Sequence, residues 1–261
     1  MQIAGSIYMQ KTEVLNNIAH EHLRVNSTFS AALGDNVVST VTFITEFAEV
    51  QKEYPILCRK NPETNEYQAI VFFGLEKDEN LFLTDANPLK QKYSGWDAYY
   101  VPAALARGPF SIGMHRDVVD GAEIQRPMVH IDMNHPKANS NEGHSLFLEN
   151  GGHSPYLNHI SKALEIINDG IPQTKLMFDA FAKYQLLDAV VLDIEFQNQE
   201  KLKINGFETI NVEKLSQLEG VALEELNKAG FLQAAYLIAA SMSNIRKLID
   251  RKNRKLLTGN N

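Results

Sequence analysis

The chain has 261 residues, 44% of them hydrophobic and 22% charged, which is enough apolar material for one large core or two small ones. A net charge of −7 argues against broad nucleic-acid binding, and a single cysteine, Cys58, excludes an intramolecular disulfide and a zinc-ribbon pattern. No secretory leader and no run of roughly 18 apolar residues is legible, so a cytoplasmic location without a transmembrane segment is the default expectation.

Residues 1–36 are weakly patterned and read as an N-terminal arm. Val37 to Phe43 is rich in β-branched residues and reads as a strand. Glu46 to Lys52 reads as a short helix. Tyr54 to Arg59 is a strand with Pro55 near its start, where the missing N–H costs least. After the turn Asn61 to Asn65, the continuous apolar run Gln68 to Leu75 predicts a strand buried on both faces. Leu81 to Thr84 reads as its hairpin partner across a five-residue polar turn, Glu76 to Asn80. Tyr99, Tyr100, Val101 and Pro102 lead into a short helix over Ala104 to Arg107. Pro109 to Gly113 and Pro127 to Met133 are extended, and Asn134 to Glu142 is a polar loop.

The stretch Gly143 to Ile160, GHSLFLENGGHSPYLNHI, joins this strand-rich part to a helical one. Gly151 and Gly152 break a short apolar run, either as turn residues or to let the backbone approach a ligand. Ser154 is suited to cap a helix, and Pro155 to open it, since its first N–H has no helical partner. Leu157, Ile160, Leu164 and Ile167 form one stripe. Asp169-Gly170 predicts a stop and Pro172 the start of a second helix carrying Leu176, Met177, Phe181 and Tyr184. Ala189 to Phe196 alternates and forms a hairpin with Lys201 to Asn205. Asn211 caps a helix carrying Leu215, Leu218, Leu223 and Leu226, and Ala229-Gly230 ends it. Phe231 to Leu257 reads as one long core helix with cations in its last turns, where exposed carbonyls favour them.

The expected fold is therefore α+β. An antiparallel or mixed sheet in the N-terminal half packs with a helical C-terminal half that contains a β-hairpin. One domain spans 37–257, sheet-rich over 37–150 and helix-rich over 151–257. Strands and helices in separate blocks argue against an alternating parallel fold.

Six of the eight histidines fall between positions 115 and 159. On a strand, His130 and Asp132 point to one face. With a third ligand from His135, or else His144 or His153, they make a candidate two-His-one-carboxylate set for Fe(II). No P-loop, GxGxxG, GxSxG or HExxH pattern is present, and the residues themselves assign no cofactor.

Five blocks together resemble the bacterial SapC family over roughly residues 37–250. They are YPILCRKNPETNEYQAIVFFGLEKDENLFL, YVPAALARGPFSIG, IDMNHP, GHSLFLENGGHSPYL, and INGFETINVEKL with GFLQAAYLIAASMSNIRKL. That family is named for a gene associated with a bacterial surface array, and related members look like companions of outer-membrane uptake receptors. The resemblance implies a non-enzymatic accessory protein that binds a protein or peptide partner, with surface association, and brings no catalytic residues. The candidate binding or structural motif is Tyr54, Pro55, Tyr100, Pro102, Gly151, Gly152, Ser154, Pro155 and Tyr156; of these, Tyr54, Pro55, Pro102, Ser154, Pro155 and Tyr156 match the family's recurrent pattern. The alternative is a metal-dependent oxygenase or other modifying enzyme built on His130 and Asp132. A homodimer through the C-terminal helix is compatible with either.

Overall fold

A computed structural model describes residues 11–85, 93–119, 122–138 and 142–259. Its frame is a five-stranded antiparallel sheet in the order β3-β5-β4-β10-β9. The strands are β3 (Ser39–Thr42), β4 (Ile56–Lys60), β5 (Tyr67–Phe72), β9 (Leu187–Glu195) and β10 (Lys201–Ile210). A three-stranded sheet joins β1 (Thr12–Val14), β7 (Ala122–Asp132) and β6 (Phe110–Val119), and β2 (Arg24–Val25) pairs with β8 (His144–Ser145). The helices are α1 (Phe47–Val50), α2 (Ala103–Ala106), α3 (Pro155–Lys183), α4 (Val212–Ser216), α5 (Gly220–Lys228), α6 (Phe231–Ser241) and α7 (Asn244–Thr258). The fold class is α+β, as expected. The C-terminal hairpin, however, completes the main sheet instead of sitting among helices. Gly206, at φ 83°, forms a bulge that carries β10 past the expected end at Asn205, and Glu208 in the extension pairs with Cys58 of β4.

β4 is central, and Ile56, Leu57 and Cys58 are all at most 1% exposed. Burial pushes the Cys58 thiol far above its usual range, so it packs as an inert apolar group. Tyr54, just before β4, packs on Phe73, Phe82 and Trp96 with ring centroids 5.5, 4.7 and 6.5 Å away. Its hydroxyl accepts from Trp96 Nε1 at 2.9 Å and donates to the Tyr100 carbonyl. Tyr100 in turn donates to the buried Glu46 carboxyl at 2.7 Å, which also takes the Thr42 hydroxyl and the Ala103 N–H, each at 2.8 Å. Burial raises the Glu46 pKa, and these three donors oppose that rise. Pro102 lies between them, and its carbonyl accepts from Leu105 and Ala106 to start α2.

The helix expected after Asn211 divides into α4 and α5 around residues 217–219, and three further expectations change. Leu81 to Thr84 is no strand. The turn before it curls inward, Glu79 is buried on Lys252 at 2.8 Å, and Asn80 donates to the Asp35 carbonyl. Phe231 to Leu257 divides after Ser241, where bonding tightens to an i→i+3 pattern around Met242 and Ser243. The buried Ser241 hydroxyl donates to Ile238 O at 2.6 Å and accepts from the Ile56 N–H at 2.9 Å, tying the helix to β4. The cations of α7 largely bind the body: Arg251 meets Asp97, Lys252 meets Glu76 and Glu79, and Lys247 donates to the Lys52 carbonyl.

Third, α3 runs unbroken for 29 residues through both Gly170 and Pro172. Residues 43–46 cross it there. Thr45 donates to the Ile166 carbonyl at 2.8 Å, and Thr174 accepts from the Ile44 N–H at 3.0 Å. These bonds from the crossing segment hold the turns on either side of a proline that would otherwise weaken the helix. Gly170 is present because of that crossing: a Cβ on it would lie 2.6 Å from Thr45 Oγ1 and against Phe43 Cβ. Gly170→Ala is expected to cost up to roughly 2 kcal/mol. Overpacking of about 1–3 kcal/mol outweighs a gain of about 1 kcal/mol in helix propensity. Urea unfolding checks this, with a lower midpoint at unchanged slope.

Candidate functional site

The start of α3 is fixed from two sides. Ser154 Oγ accepts from the Leu157 N–H at 3.2 Å, as a cap should, and the Ser154 N–H bonds to Leu146 O. Ahead of it, β8 lies against β2 with Val25 opposite His144. Gly143, at φ 123°, permits this approach, since a Cβ there would sit 2.7 Å from the Val25 carbonyl carbon. The pairing brings Ser27 Oγ within 2.9 Å of His144 Nε2. The His144 ring then stacks on Tyr156, the second residue of α3, with centroids 4.9 Å apart and planes 12° off parallel.

Two hollows flank this stacked pair. One, of about 350 Å³, is walled by Phe29, Tyr93, Val101, Lys137, His159 and Ile160. The other, of about 550 Å³, is walled by Phe147, Leu148, Glu149 and Ser154. His144, Pro155 and Tyr156 line both, so they form a ridge between two parts of one groove. Burial also raises the Tyr156 pKa, which keeps its phenol protonated as a donor.

Lys137 is the least expected member. It is 3% exposed, and its Nζ lies 2.7 Å from Asp35 Oδ1 and 4.2 Å from the Phe29 ring centre. Burial drives the lysine pKa down and the aspartate pKa up, and their mutual attraction opposes both shifts. Asp35 Oδ2 accepts from the Ser30 N–H at 2.9 Å. In the sequence Lys137 belongs to a polar loop and Asp35 to a Gly-Asp-Asn turn. Neither has a local pattern that distinguishes it from a solvated residue, and their contact spans 102 positions.

The positions singled out from sequence divide into separate regions. Tyr54, Pro55, Tyr100 and Pro102 belong to the core network and its flanks. Ser154, Pro155 and Tyr156 belong to the groove. Gly151 and Gly152 form the turn before α3, where Leu148 bonds to both; Gly151, at φ 82°, is approached by the Asn17 side chain.

His130, Asp132 and His135 do not assemble into a metal-binding group. Among the described residues, no three His, Cys, Asp or Glu side chains are placed to hold an ion. His130 packs over Gly113, and its buried Nε2 has no hydrogen-bond partner among the described residues. Asp132 Oδ1 accepts from the backbone N–H groups of Lys11 and Asn134 at 3.2 and 3.0 Å. His135 Nδ1 accepts from the Lys137 N–H at 3.1 Å and so orders the loop that delivers Lys137. Spacing on a strand put two ligands on one face, but backbone donors claim the carboxylate and the third ligand.

Burial, more than the nearby Lys137 charge, holds the His135 pKa at about 4, against 6.5 in an unfolded chain. Between these values the unfolded chain binds more proton, so this histidine's contribution is intact above pH 6.5 and is lost as pH falls toward 4. The full shift would be worth roughly 3 kcal/mol, and partial solvent screening reduces it to about 1–2 kcal/mol. Urea unfolding of the wild type and His135→Gln at pH 7.5 and 4.5 checks this. The variant is expected to lose less stability than the wild type on acidification.

No curated protein and no solved structure matches this chain. The model of the SapC family matches residues 15–248, a span that includes the Tyr54 network, both walls of the groove and the helices up to α7. The chain therefore belongs to the SapC family.

Proposed function

We propose that the chain is a non-enzymatic accessory protein that binds a short extended stretch of a protein partner in the groove at the start of α3. The observation that carries this reading is the shared ridge: a stacked His144–Tyr156 pair with a hollow on each side. An extended peptide advances about 3.3 Å per residue and sends alternate side chains the same way. A segment crossing the ridge can thus place one side chain in each hollow and rest its backbone on the rings. Tyrosine is a favoured anchor in such sites because it offers a large rigid face and a hydroxyl.

The setting in surface-layer or outer-membrane-receptor biology comes from the family resemblance and is part of this proposal. Surface association would run through the bound partner. Among the described residues, no helix is long and apolar enough to cross a membrane. The Fe(II) oxygenase alternative requires a third ligand beside His130 and Asp132, and the described residues offer no such group.

Titrating isotope-labelled protein with pools of short peptides tests the reading by NMR. Saturable shifts are expected at His144, Tyr156 and Leu148. Tyr156→Ala, checked for folding by its thermal melt, is expected to weaken binding about tenfold or more, the usual cost of removing an aromatic anchor. Saturable shifts confined to another surface, or no saturable binding by any pool, would overturn it.

A further inference from the structure

The hollow nearer Lys137 differs chemically from its neighbour. Among the described residues its lining contains three basic side chains, Lys137, His144 and His159, and no acidic one, whereas the far hollow includes Glu149. The rest of its wall is largely apolar, from Phe29, Val101, Ala106 and Ile160.

Within that wall the lysine is incompletely used. An ammonium has three N–H donors. On Lys137 one donor reaches Asp35 Oδ1, and the Phe29 ring faces Nζ from 4.2 Å. Among the described residues Nζ has no second hydrogen-bond acceptor. Asp35, for its part, is held from behind by the Ser30 N–H. A buried cationic donor left without an acceptor is costly, so an oxygen supplied from the cavity has a ready partner. The N-terminal end of α3, which contributes Pro155, Tyr156 and His159 to the same wall, adds a partial positive charge.

We propose that this hollow is a carboxylate subsite: the occupant presents a carboxylate to Lys137 and packs an apolar body against Phe29, Val101 and Ile160. This rests on the groove reading only for what carries the carboxylate, namely an acidic side chain or the free C-terminus of the bound segment. The hydrogen bond formed is charge-assisted at both ends, which makes it stronger than a bond to a neutral acceptor.

The test uses the full chain with benzoate and benzyl alcohol as matched charged and uncharged probes, followed by NMR. Two peptides then separate the sources: one with an internal glutamate and blocked ends, the other without acidic side chains and with a free C-terminus. Benzoate is expected to shift Tyr93, Lys137 and His159 saturably and to bind at least tenfold tighter than benzyl alcohol. The paired change Asp35→Asn with Lys137→Gln, which leaves neither charge buried alone, is expected to remove that preference. Should the pair fail to fold, the two-probe comparison on the wild type decides by itself. Equal affinity for the two probes, no benzoate binding, or benzoate shifts elsewhere would overturn the subsite. In those cases peptides that still shift His144 and Tyr156 leave the groove reading standing. Benzoate seated at Lys137 without any peptide binding would instead retain the subsite and remove the peptide.

Discussion

The hydroxyl of Tyr54 is the bond on which most of this molecule hangs. It stands in the aromatic cluster ahead of the central strand, accepts from Trp96 and donates to the Tyr100 carbonyl. A buried phenol without partners would cost several kcal/mol by transfer estimates, so these two bonds pin the Trp96 and Tyr100 segments to β4. Tyr100 then reaches Glu46, and Glu46 reaches Ala103. In four steps the start of the central strand fixes a non-regular segment, a buried carboxyl and the first turn of α2. This chain of contacts is buried or partly buried, and that accounts for a motif rich in aromatic residues and proline.

The groove is a consequence of that network. Val101 and Ala106, on either side of Pro102, form part of its wall, and Phe29 closes it from below through contact with Trp96 at 5.3 Å. The opposite wall comes from α3, whose position is set at its middle by the crossing of residues 43–46 at Gly170 and at its near end by the Ser154 cap. Glu46 belongs to the crossing segment as well as to the Tyr100 network. One buried carboxyl therefore helps position both walls.

What was legible in the sequence was local. The Ser154 cap, the Asn211 cap with its 2.8 Å bond to Lys214, the left-handed Gly230 and the β-branched strands all stand where their chemistry predicts. The errors were failures of locality. Gly170 and Pro172 look like a helix end because, in isolation, they would be one; a segment 125 or so residues earlier in the chain makes the uninterrupted helix stable. The Gly206 bulge that lets β10 reach β4, and the inward curl at Glu79, are likewise answers to distant partners. The groove was half visible. Ser154 and Pro155 were marked by helix-start chemistry and Tyr156 by the family resemblance. Lys137 and Asp35 were not, because a lysine in a polar loop carries no sign that it will be buried.

That buried pair bears on function through its energetics. Two charges removed from water regain their solvation cost only with excellent geometry, and a well-packed apolar pair of the same volume is often as stable or more so. Asp35 and Lys137 have one short bond, an aromatic face and a backbone donor between them, which is fewer partners than their donors and acceptors can use. Stability alone is thus a weak reason for a lysine at this position. The groove supplies a stronger one, since Lys137 itself lines a hollow whose described wall holds basic, apolar and neutral polar groups and no acid. A lysine held upright by Asp35 and braced on Phe29 loses little freedom when a carboxylate arrives, so the ordering cost of binding is met in the folded chain beforehand.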